Sequence, residues 1–153
     1  MSGLGRMAAG AGLLLALAQA VSAADDKPQR EQFLAQAQAG NADAQYALGM
    51  SYCCGNGPGL DTQQAVRWLC RAALQGHKDA AFALAQYYAV RPKSKPFMAV
   101  DTHDYAYLWY TVANEHGHPL ALAYRTALAD DMPASAIRRA EDWARDPAAA
   151  GCP

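Results

Sequence analysis

Four cysteines and four histidines are the side chains of this sequence best equipped for chemistry, and their spacing decides which chemistry is open. Cys53, Cys54, Cys70 and Cys152 are even in number, which in an oxidising compartment favours disulfides over free nucleophiles. No motif sets a base beside any of these thiols, as a Cys–His nucleophile needs. Reach limits their pairing. In an antiparallel helix pair turning near Gly57, Cys70 stands opposite roughly residue 45, and Cys53 lies about 12 Å further along by helical rise. Bridged Cα atoms must come within about 7 Å. Cys70 is therefore not expected to reach Cys53 or Cys54 inside one hairpin unless the helices are offset. A bridge between the neighbours Cys53 and Cys54 is a strained ring, and Cys152 in the tail has the freedom to meet one of the others. At least one disulfide is expected, with its partners open.

The histidines point away from metal. His77, His103, His116 and His118 have no cysteine or carboxylate at a zinc-ligand spacing, so no metal site is expected. His77 follows Gly76 and reads as the cap of the next helix. His116 and His118 flank Gly117 at a helix end, where a cation suits the carbonyl terminus. Ser51, Ser94 and Ser135 stand in neither a Ser-x-x-Lys nor a Gly-x-Ser-x-Gly arrangement. Gly55-Asn56-Gly57-Pro58-Gly59 lacks the lysine that follows in a phosphate loop, and reads as a turn. Neither catalysis nor a cofactor is expected.

The elements that carry these residues repeat. Ala44-Gln45-Tyr46-Ala47-Leu48-Gly49 through Tyr52 returns 36 positions later as Ala80-Ala81-Phe82-Ala83-Leu84-Ala85 through Tyr88. Trp68, Ala72, Gly76 and Ala80 return 41 positions later as Trp109, Ala113, Gly117 and Ala121. Such a period means stacked helical units with a binding surface rather than a carved pocket. Helices are expected over Pro28–Ala39 with Phe33, Leu34 and Ala37 inward, and from Asn41 or Asp43 to about Cys54. Others follow from Asp61 or Thr62 to Gly76, near Lys78–Val90 and near Asp101–His116. A third unit spans Gly117 to Asp130, with Ala121 and Leu122 facing inward. A closing helix runs from Asp131, with Pro133 in its first turn, to about Arg145. The exposed loop Arg91–Val100, rich in proline and cations, accounts for the longer second period. Gly49, costly in a helix, implies a facing backbone or ring, with Trp68 and Trp109 as the expected core occupants.

Residues 1–23 have the layout of a secretory signal peptide: Arg6, the apolar stretch Met7–Ala20, and Val21-Ser22-Ala23 as the cleavage site. The apolar stretch is short of the roughly 20 residues of a membrane span, so no span is expected after its removal. Removing 1–23 from 153 residues leaves roughly 130, enough for one domain with a modest core. The formal charge is −1, more negative once Arg6 leaves, which gives no basic patch for nucleic acid. A periplasmic or secreted monomer is expected, with a repeat domain over 24–145, repeats at about 44–79 and 80–120 between capping helices, and a tail over 146–153 that is ill-ordered unless Cys152 ties it down.

Ala44, Leu48, Gly49, Tyr52, Gly55, Gly57, Asp61, Ala65, Trp68, Ala72, Ala73, Gly76 and Ala80 stand at the spacing of the Sel1-like repeat, and the chain resembles that tetratricopeptide-related family. Pro58, Gln64 and Leu69 depart from its usual residues, and residues 80–121 match more weakly because Ala85 replaces Gly. The resemblance covers about residues 28–145. It implies an all-α, right-handed α/α superhelix, a solenoid of antiparallel helix pairs with about seven helices. It also implies a non-catalytic adaptor or scaffold for another protein, with an inhibitor or immunity protein for a secreted enzyme as a close variant. One disulfide-rich branch implies the alternative, a cell-wall or β-lactam hydrolase. For protein binding, the first helices of each pair offer Gln45, Tyr46, Met50, Phe82, Gln86 and Tyr87, extended by Tyr124. The loop Arg91–Pro96 is a second candidate contact.

Overall fold

The structure, a computed structural model, describes residues 27–54, 59–90 and 102–151. The expected leader, the glycine turn over 55–58, the cationic loop and Cys152 lie outside the described residues. Among the described residues every regular element is a helix: α1 (Lys27–Gln38), α2 (Ala42–Cys53), α3 (Thr62–Leu74), α4 (Lys78–Ala89), α5 (Thr102–Glu115), α6 (Ala121–Ala129), α7 (Ala134–Arg145) and the short α8 (Pro147–Ala150).

Local chemistry sets these boundaries. Asn41 Oδ1 accepts from the Ala44 amide at 2.8 Å and Asp61 Oδ1 from the Gln64 amide at 3.0 Å, each satisfying a donor that the helix start leaves unpaired. At the other ends, Gly76 and Gly117 take φ of +85° and +79°, a left-handed turn that a side chain resists. α7 begins three residues after the expected Asp131, because the chain is still turning there and Pro133, extended at its cap, fixes the entry.

α2 pairs with α3 and α4 with α5, while α1 lies on α2, α4 on α3 and α6 on α5. That serial pattern, each helix meeting its chain neighbours, is a helical-repeat solenoid. Small side chains permit the close approach. Ala72, Ala80, Ala81, Ala85, Ala106 and Ala113 are wholly buried with Leu84 and Leu108 in the main core, and Trp109 is 1% exposed among them. Trp68 joins Ala37, Ala44 and Leu48 in a second cluster under α1, with Phe33 and Leu34 against it. Both tryptophans are core, as their spacing implied.

The occupant facing Gly49 is different from the one expected. Leu69 fills that space: a Cβ on Gly49 would stand 2.8 Å from Leu69 Cγ and 3.1 Å from its backbone nitrogen. A rotamer change can move Cγ, but the nitrogen is fixed in α3. Helix propensity alone favours alanine over glycine by about 1 kcal/mol. Overpacking of a filled core costs about 1–3 kcal/mol and is expected to win. Gly49→Ala should therefore lose about 1 kcal/mol in a urea titration, whereas a gain would mean the helices stand further apart.

The solenoid ends at α6. Shifting by 41 aligns Leu122, Arg125 and Thr126 with the buried Ala81, Leu84 and Ala85. Leu122, expected inward, is instead 52% exposed, because α7 packs along α5 and leaves no second helix beside α6. Arg125 lies 5.8 Å from the Tyr107 ring centroid, and Thr126 Oγ1 donates to the Leu122 carbonyl at 2.9 Å. Arg125 and Thr126 thus put polar groups at two of the three positions that a further hairpin would have buried, as suits a terminal unit. α7 closes the stack with Ala136 and Ala140 against Tyr107.

The described part of the tail, residues 146–151, forms a short helix. Asp146 Oδ1 accepts from the Ala149 amide, starting α8, and Ala150 packs on the main core. The Cys53 and Cys54 side chains lie against each other at the end of α2, and Cys70 is 1% exposed in α3.

Candidate functional site

Two histidines, His77 expected as a helix cap and His118 expected at a helix end, assemble the strip that matters. His77 is the N-cap of α4, and its Nδ1 accepts from the Ala80 amide at 3.2 Å. With Nδ1 serving as an acceptor, a neutral ring carries its proton on Nε2. That atom lies 3.3 Å from Asp43 Oδ1 on the preceding first helix, and the ring stacks on Tyr46 with centroids 4.6 Å apart. One histidine therefore ties two successive first helices together.

The next junction repeats the arrangement. His118 Nδ1 accepts from the Leu120 amide at 3.3 Å, and its Nε2 lies 3.6 Å from Asp79 Oδ1. Its ring stacks on Phe82, with centroids 3.9 Å apart and planes 14° from parallel. The ring was expected to act as a cation at a helix carboxyl end. It acts instead as an acceptor at the start of the next turn, because Gly117 reverses the chain before it. Asp43 and Asp79, like Tyr46 and Phe82, are 36 positions apart. That recurrence was a signal in the sequence, but only the fold shows that each acid and ring share one histidine.

Phe82 also meets Tyr124 edge-on, with centroids 5.3 Å apart, and Tyr110 at 5.5 Å. A row of two stacks thus forms, Tyr46–His77 on one unit and Phe82–His118–Tyr124 on the next. Tyr124 is 45% exposed, Gln86 is exposed, and Tyr46, Met50 and Phe82 are half-buried. Tyr110 lies beneath them, 2% exposed, and burial first, then the neighbouring Tyr124, pushes its hydroxyl up to about 12. The folded state thus holds that proton more tightly than an unfolded chain with an ordinary tyrosine value near 10. Stability should be intact below pH 10 and fall as pH rises towards 12. Tyr110→Phe should flatten that alkaline decline in melting experiments, and an unchanged decline would place its cause elsewhere.

Two candidate residues stand apart from the row. Gln45 is 4% exposed, so its place among the binding residues is corrected. Its Nε2 donates to the Ala37 carbonyl at 3.0 Å and its Oε1 accepts from Gln75 Nε2 at 2.7 Å, joining α1, α2 and α3. A buried amide must find such partners, and that use takes it off the surface. Tyr87 turns its ring against Tyr88, with centroids 5.2 Å apart, and is packed against the core.

The junction makes a clean prediction. His77→Ala removes an N-cap acceptor and a ring stack, and should cost about 1–2 kcal/mol of unfolding free energy. His77→Asn keeps an acceptor and should recover roughly half. Equal losses in the two variants, measured by urea titration, would mean the capping bond contributes nothing.

Stacked hairpins and glycine-ended second helices define a helical-repeat protein. Residues 42–77, from the start of α2 to the cap of α4, match the family model described as Sel1 repeat. That segment of the chain carries a Sel1 repeat. No curated protein matches it. Among the described residues no group of His, Cys, Asp and Glu is arranged to hold a metal ion, and no helix is long and apolar enough to cross a membrane.

Proposed function

We propose that this Sel1-like repeat protein is a non-catalytic adaptor or scaffold, exported to the periplasm or beyond, whose working surface is the row Tyr46, His77, Phe82, His118 and Tyr124. One observation carries the reading. Two ring stacks, Tyr46–His77 and Phe82–His118–Tyr124, recur on successive first helices and keep their rings partly in water, while Tyr110 and Trp109 are buried. Aromatic side chains held rigidly at a surface lose little entropy on contact, which is why they dominate protein interfaces. The Sel1 repeat is a protein-interaction fold, and the strip is where such an interaction has anchors. Export rests on the pattern of residues 1–23 and on the four cysteines. An inhibitor or immunity role uses the same strip to occlude a secreted enzyme.

Affinity capture with the wild type and with Tyr46→Ser/Phe82→Ser, both verified as folded by circular dichroism, tests the reading. The double variant should lose the wild-type partner, and retention of that partner would move the interface elsewhere. A chromogenic β-lactam separates the hydrolase class, since turnover abolished by changing a single serine or cysteine would replace the adaptor reading. Ser51 Oγ already donates to the Leu48 carbonyl at 2.7 Å.

A further inference from the structure

The two junctions give the strip a charge as well as a shape. Each histidine, held at Nδ1 by a backbone amide, directs Nε2 at a carboxylate and lays its ring on an aromatic side chain. The outcome is an oriented carboxylate beside a ring, presented twice at the repeat spacing. The carboxylates stay open to water, with the Asp43 side chain 92% exposed and that of Asp79 46% exposed. Asp43 is the one charged residue of α2, and α4 carries only Lys78 beside Asp79. Arg125, the one charge of α6, lies over Tyr107. Both acids sit in first turns, where they already answer the positive helix end, so an incoming anion meets a filled position.

Resting on the adaptor reading above, we propose that the strip takes a partner segment in which basic residues alternate with apolar ones. The apolar side chains seat against Tyr46, Phe82 and Tyr124, and the cations seat at Asp43 and Asp79. A cation beside both a carboxylate and a ring gains from each, and the acidic rim turns away acidic segments. Exposed charge pairs contribute little individually, so the rings supply affinity and the carboxylates supply selection.

Fluorescence anisotropy with labelled short peptides, in which leucine alternates with lysine, glutamine or glutamate, tests this directly. The lysine peptide should bind the wild type most tightly and lose affinity as salt rises. Asp43→Asn/Asp79→Asn keeps an oxygen for each histidine and should weaken that peptide roughly three- to tenfold, while leaving the glutamine peptide unchanged. Equal or tighter binding of the glutamate peptide, no response to the asparagine pair, or no binding of the lysine peptide would each overturn the proposal. Tyr46→Ser/Phe82→Ser distinguishes the two levels. If it abolishes binding while the asparagine pair does nothing, only the charge preference fails; if it leaves binding intact, the strip itself is misplaced. Melting curves for every variant exclude unfolding as the cause.

Discussion

Trp109→Ala is expected to lower the unfolding free energy by about 3–5 kcal/mol, a large share of the roughly 5–15 kcal/mol of a typical domain. The indole is 1% exposed in the core that joins α3, α4 and α5. Its neighbours in that core include Ala80, Ala81, Ala85, Ala106 and Ala113, whose side chains are too short to follow a retreating ring. The helices are already in close approach through these alanines, so the cavity cannot collapse without parting the hairpins. Trp68→Ala should cost less, because that ring is 8% exposed and lies partly under the Arg71 guanidinium at 4.7 Å. Urea titrations of the two variants provide the comparison. A Trp109 loss below that of Trp68 would mean that the second hairpin does not hold the stack.

Arg139→Met is expected to cost about 3 kcal/mol, for a reason unrelated to volume. Asp104 in α5 is fully buried, and Arg139 in α7 donates to its Oδ2 from Nε at 3.0 Å and from Nη2 at 2.5 Å. Methionine keeps the apolar stem but takes the Arg139 guanidinium away from a buried carboxylate. The guanidinium side chain is 37% exposed, so water already shares in its solvation and the loss falls at the low end for a buried pair. Asp104→Asn placed in the Arg139→Met background should recover most of the loss, since a neutral amide needs no counter-charge. A double variant no better than the single one would mean that the arginine acts by packing alone.

These two residues mark what the sequence made legible. Trp109 repeats Trp68 at a fixed offset, and repetition survives without knowledge of the fold because every hairpin solves the same packing problem. Asp104 and Arg139 lie 35 residues apart with no counterpart elsewhere. Only the docking of α7 onto α5 brings them together, and nothing local announces that docking. The same division runs through the strip. Tyr46 and Phe82 were visible as aromatic residues on first helices, and His77 as a cap. That His118 would repeat His77, each seizing the acid and ring of the preceding unit, depends on the angle between hairpins. Gln45 shows the opposite case: its position on a first helix suggested a surface, but it is buried and the last turn of α1 claims its amide. Leu122 likewise follows the repeat pattern into a place where the repeat has ended.

The claim that one strip of first-helix side chains does the work is most directly tested by photo-crosslinking. Gln86, exposed one turn beyond Phe82, and Gln63, exposed on α3, each receive a photoreactive side chain in otherwise wild-type protein. Adducts should form from Gln86, vanish when Phe82→Ser is added, and be absent from Gln63. Adducts from Gln63 alone, or adducts at Gln86 that persist without the Phe82 ring, would contradict it.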